Sequence, residues 1–139
     1  MAATLKAGKY FSIYEVVHSN TAEEKDIFNL PLEKDIIDNL NYCIGRMDEI
    51  RESYGKPIYV NSWYRCKELN EEVGGSKNSY HMSGLAVDLR WDSNLVYHII
   101  EKHNFHKLIR EKSGRSKWIH IQFLKDRSKE ENKVISIQK

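Results

Sequence analysis

From Leu32 to Ser53 the apolar residues Ile36, Ile37, Leu40, Cys43, Ile44, Met47 and Ile50 recur three and four positions apart, with Lys34, Asp38, Arg46, Asp48, Glu49 and Arg51 between them. Side chains at that spacing line up along one side of an α-helix, so the segment predicts a long amphipathic helix whose apolar face has to be buried. It is the longest such run and the element around which a core must form. Gly55 and Pro57 end it, glycine by taking a left-handed cap and proline by lacking an N–H. The partners it can pack against are strands. "PIYVNSWYR" (57–65), "GLAVDLRW" (84–91), "FHKLIRE" (105–111) and "KWIHIQF" (117–123) carry the β-branched and aromatic content of that structure.

The remaining signals fill in around this frame. Ser12 stands three residues before Glu15, a capping-box pattern that predicts a short helix followed by a loop. A short helical or loop segment leads from Arg65 to a turn at Gly74-Gly75, and a helix over residues 93 to 103 joins two of the strands. "KSGRS" predicts a hairpin turn, with Gly114 free to adopt it. The tail, 124–139, is charged and then strand-like at "VISI". With 139 residues and no internal repeat, the chain is expected to form one domain spanning 1–139: an α+β fold with helices packed on a small, mostly antiparallel sheet.

Composition excludes several partners. The net charge is only +2, and the basic residues of the tail alternate with Glu130 and Glu131, so no nucleic-acid-binding field is expected. The two cysteines, Cys43 and Cys66, make no disulfide framework and no paired metal spacing, and are read as free thiols. Lys6, Lys9, Ser12 and Glu15 interrupt every apolar window near the start, so no secretory signal is expected there. Nor does any run of apolar residues reach the length of a membrane span.

The chemistry is concentrated in "SYHMSGLAVDL" (79–89) and "KWIHIQF". Alternation along a strand puts Gly84, Ala86 and Asp88 on one face and Leu85, Val87 and Leu89 on the other, with His81 just upstream in the turn. The same rule sends Ile119, Ile121 and Phe123 inward and leaves Trp118, His120 and Gln122 on the opposite face. Two imidazoles and a carboxylate form a good zinc set, since three protein ligands leave a tetrahedral position for water, whose pKa then falls to about 7. Spacing alone leaves another reading open: His120 as a satisfied core histidine, His81 as a loop residue and Asp88 as a strand-end cap. His18, His98, His103 and His106 lack this context and are read as surface or helix-packing residues.

Ser79, His81, Gly84, Ala86 and Asp88 spell SxHxxGxAxD, and Trp118 with His120 spells WxH. Together with "KYFSIYEVVHSNTA", "YGKPIYVNSWYR", "EVGGSKNSYH" and "FHKLIRE" in that order, the chain resembles the zinc D-Ala-D-Ala carboxypeptidase and endopeptidase group. Its wider circle includes the lysostaphin-type enzymes and the hedgehog signalling domain. The resemblance implies a hedgehog/DD-peptidase-like fold and a Zn2+ ion on His81, Asp88 and His120. It implies that Arg65 pairs with a substrate carboxylate, that Glu111 is the general base, and that Ser79 and Trp118 also contact substrate. Some relatives carry an acid three residues before the second histidine, where this chain has Lys117. The implied function is a monomeric zinc metallopeptidase that hydrolyses peptidoglycan stem peptides, acting on the cell wall after release or as part of a phage particle. The alternative is a weak or inactive zinc-containing module that binds cell wall or builds a virion.

Overall fold

The computed structural model describes residues 3–139. Its longest helix, α3 (Lys34–Tyr54), buries Ile37, Leu40, Cys43, Ile44, Met47 and Ile50, the predicted face. It starts later than the apolar pattern suggests, with Glu33 as its N-cap and Leu32 left exposed. At its other end Gly55 sits at φ 72° and returns its N–H to the Arg51 carbonyl, a conformation glycine adopts without steric cost. Ahead of it lie α1 (Ile13–Val17), closed by the expected capping box between Ser12 and Glu15, and α2 (Asn20–Glu24), where a loop was expected. Ser19 accounts for that second helix, because its hydroxyl accepts the Ala22 N–H.

The strands β1 (Val60–Ser62), β2 (Ala86–Arg90), β3 (Lys107–Ser113), β4 (Ser116–Gln122) and β5 (Lys133–Gln138) form one sheet in the order β1-β2-β4-β3-β5. All neighbours are antiparallel except β5, which runs parallel to β3. Three further helices, α4 (Lys67–Glu72), α5 (Tyr80–Ser83) and α6 (Ser93–Lys102), complete this α+β fold. The hairpin between β3 and β4 turns at Gly114, φ 59°.

Two expectations about the strands are corrected. Residues 57–65 do not form one long strand, since only Val60–Ser62 pairs with β2 and the register shifts within it. Beyond it the backbone bonds elsewhere: the Tyr64 N–H goes to the Val16 carbonyl and the Arg65 N–H to the His81 carbonyl. Gly84, placed by alternation on the strand, instead caps α5 at φ 84°. A Cβ there would meet Leu40 Cγ at 2.8 Å, so the glycine lets α5 lie directly on α3.

One face of the sheet is apolar. Val87 pairs with Ile121, Ile121 with Leu108, and Leu89 with Ile119, and all five are fully buried in a core shared with α3, Leu95, Val96 and Ile99 of α6, Trp63, Phe105 and Phe123. Arg46 was expected on the solvent side of α3 but is buried. Its guanidinium grips Glu130 through two bonds of 2.9 and 3.1 Å and also donates to the Asn104 carbonyl at 2.6 Å. A forked pair of this kind fixes direction as well as position. It ties the segment between β4 and β5 to the central helix, and the tail docks as an edge strand.

Candidate metal centre

The opposite face of the sheet carries the polar residues, row by row. Asp88 pairs with His120 and His120 with Ile109; Arg90 pairs with Trp118 and Trp118 with Glu111; Ala86 pairs with Gln122 and Gln122 with Lys107. Paired residues point to the same side. Asp88, His120, Trp118, Gln122, Glu111 and Lys107 therefore line one cleft of about 910 Å³, together with His81, Ser79 and Arg65. His81 reaches it from α5, a single turn held by Ser79, whose hydroxyl accepts the His81 N–H at 3.2 Å. It is helical, not in the expected turn, because this cap and the left-handed Gly84 bracket four residues between them.

His81, Asp88 and His120 are all buried, and one ligand-type atom from each lies within 4.8 Å of the others. The hydrogen bonds around them fix which atoms those are. His81 Nδ1 donates to the Trp63 carbonyl at 2.7 Å, so Nε2 keeps its lone pair; that atom is buried, has no hydrogen-bond partner among the described residues, and stands 3.2 Å from Asp88 Oδ1. His120 Nε2 donates to Gln122 Oε1 at 2.7 Å, which turns Nδ1 toward Asp88 Oδ1 at 3.0 Å. Two imidazole nitrogens thus converge on one carboxylate oxygen, each ring held from behind by a carbonyl. This donor set, with an orphaned imidazole nitrogen at its centre, fits a divalent cation, and outer carbonyl partners of this type orient metal-binding histidines.

The same contacts shift the titration of these groups. Burial pushes the Asp88 carboxyl up, but the His81 and His120 imidazoles outweigh it and hold it well below the usual carboxylate range. For His120, burial disfavours the charged ring, and the hydrogen bond to Asp88, the Asp88 charge, the Gln122 bond and the Glu111 charge together outweigh it, raising its pKa above the ordinary histidine value. Burial also weakens the charged form of Arg65, against the pull of Asp88 and Glu111.

Arg65 donates to Asn70 Oδ1 at 3.2 Å and lies 3.4 Å from Asp88 Oδ2, while its Nε is buried without a partner among the described residues. Glu111 is buried beside Trp118, whose indole N–H donates to its Oε2 at 2.9 Å. The β3–β4 hairpin keeps Glu111 at the cleft, because the register continues regularly through Lys112 and Ser113. Lys117 takes no part in the cleft lining and stacks on the Trp91 ring at 3.8 Å. Of the other histidines, His98 and His103 share Ser53 Oγ, and His106 stacks on Tyr80. His18, read as a surface or helix-packing residue, lines the cleft.

Sequence reasoning assigned no role to Gln122 or Asn70. Gln122 was already on the His120 face by alternation, which was the available signal. Asn70, which holds Arg65 and also donates to the Ser76 carbonyl at 2.8 Å, had none, since its role depends on the fold bringing α4 to the loop before α5.

An α+β chain that collects two buried imidazoles and a carboxylate over one sheet face, with a second acid and a guanidinium in the same cleft, has the side chains that a metal-dependent hydrolase requires. Comparison with known families agrees. The chain belongs to the peptidase M15 family, the zinc peptidases of the D-Ala-D-Ala carboxypeptidase type, whose model matches residues 9–122. That membership indicates a hydrolase of the metallopeptidase class. No curated protein matches the chain. No helix among the described residues is long and apolar enough to cross a membrane.

Proposed function

We propose that the protein is a zinc peptidase that hydrolyses peptide bonds in peptidoglycan stem peptides, as a D-Ala-D-Ala carboxypeptidase or an endopeptidase. The observation that carries this reading is the Glu111 carboxylate, which opens into the same cleft as His81, Asp88 and His120. A binding module needs the metal group, but it does not need an acid beside it.

His81 Nε2, Asp88 and His120 Nδ1 would hold the ion. A bound zinc supplies Lewis acidity toward a scissile carbonyl and lowers the pKa of water to about 7. The protein's own residues do the rest. Glu111 accepts a proton from the attacking water and returns it to the leaving amine, while the Trp118 indole N–H fixes the carboxylate's orientation. Arg65 offers a fork to a substrate carboxylate and so sets which bond lies over the metal group. Ser79 caps the turn that presents His81 and stands at the cleft wall beside the substrate. The chain would act as one domain and as a monomer, delivered to the wall by release from the cell or within a phage particle.

The test is zinc content of the protein purified without chelator, with amine release from purified peptidoglycan measured on the same samples. One zinc per chain and release abolished by EDTA are expected. Zinc without release would move the protein to the wall-binding class, and no zinc would sink the reading. Within the active enzyme, Arg65→Ala is expected to lower kcat/KM by more than about tenfold, as loss of a charge-assisted pair implies. Unchanged kinetics would remove Arg65 from substrate binding.

A further inference from the structure

The family match ends at residue 122, and β5 lies beyond it, so the cleft's β5 flank belongs to this chain's own tail. On β3 the residues Lys107, Ile109, Glu111 and Ser113 face the cleft. β5 runs parallel in register, Ile135 opposite Ile109 and Ile137 opposite Glu111, and alternation then places Lys139 on the cleft side. The ladder continues that far, since the Lys139 N–H donates to the Lys112 carbonyl at 2.8 Å. Its ammonium stands 3.5 Å from Glu111 Oε1, with the side chain 63% exposed, and both Ile137 and Lys139 line the cleft.

We propose that Lys139 is a second carboxylate anchor, on the flank of the cleft opposite Arg65, so that the site takes a peptide bearing carboxylates on both sides of the bond held at His81, Asp88 and His120. This rests on the peptidase reading above and names the kind of peptide. The Lys139 side chain stays largely exposed at the cleft's edge although the carboxylate it pairs with is buried. An ammonium has three donors, and the Glu111 pair engages one of them. Arg65 follows β1 and reaches Asp88 on β2, Lys139 follows β5 at the other edge of the sheet, and His120 on β4 lies between them. From β2 to β5 is three strand spacings, roughly 14 Å, which an extended peptide covers in about four residues. A substrate with one carboxylate at its end would engage Arg65 alone. One with a further acidic group downstream would engage both cations, and that is an acidic peptide cut internally.

The experiment compares two synthetic stem-type peptides, one with its internal carboxylates free and one with them amidated, on zinc-loaded wild type, Lys139→Gln and Lys139→Arg. Wild type is expected to favour the free acid about tenfold or more in kcat/KM, chiefly through KM. Lys139→Gln should reduce that preference to within about twofold, with the greater loss on the free-acid peptide, and Lys139→Arg should restore most of it. A preference that survives in Lys139→Gln, or an equal loss on both peptides, overturns the anchor. If zinc-loaded wild type cleaves neither peptide, the peptidase reading itself fails, and calorimetric titration of the same peptides decides the anchor separately. Tighter binding of the free acid that Lys139→Gln abolishes supports it; equal or absent binding overturns it.

Discussion

His120→Ala is expected to leave the protein without stoichiometric zinc and with no measurable peptide-bond hydrolysis, while its fold persists. His120 would supply one of three ligands, and it holds Asp88 as well, at 3.0 Å. Changes to outer partners of metal ligands already cost about 10- to 100-fold in affinity, so removing a ligand itself should weaken binding by more than about a hundredfold. The fold has reason to survive. The alanine leaves Asp88 paired with His81 and Arg65, and the apolar face beneath it, Val87, Leu89, Ile119 and Ile121, is untouched. Elemental analysis, amine release and circular dichroism on one preparation check all three statements. Full zinc occupancy in the variant would place the ion elsewhere, and a lost fold would make His120 structural.

The elements most legible in the sequence were those whose pattern is local. The helix around Leu40 and Met47 shows its period in any window, and β2 and β4 show alternation strong enough to put Asp88, Trp118, His120 and Gln122 on one face from residue order alone. That is why the fold brings together residues thirty or more positions apart that the motifs had singled out. What was not legible depends on contacts between distant segments. Arg46 looks like a solvent-side residue of an amphipathic helix, and only Glu130, 84 positions away, explains its burial. Gly84 looks like a residue of the following strand, and only the approach of Leu40 shows why a glycine stands there. The tail reads as charged and weakly strand-like. Its parallel docking on β3 follows from an edge that β3 leaves open, which no pattern within residues 124–139 records.

The proton-transfer step can be isolated from metal binding through Glu111→Gln, which is expected to lower kcat by about 10²- to 10⁴-fold, keep one zinc per chain and leave KM close to wild type. The substitution preserves size and keeps an oxygen to accept the Trp118 N–H, now 2.9 Å from Glu111 Oε2, while the 3.5 Å ion pair with Lys139 is given up. What it removes is the ability to take up a proton at that place. His81, Asp88 and His120 keep every bond they make to one another, and none of those bonds involves Glu111. A fall in kcat with zinc retained therefore assigns the chemistry to the carboxylate and makes the protein an enzyme. Activity within a few fold of wild type would mean that the base lies elsewhere in the cleft, and Lys117, stacked on Trp91, is not available for that role. Steady-state kinetics and zinc analysis of this one variant thus separate a peptidase from a wall-binding relative that keeps the metal group but performs no turnover.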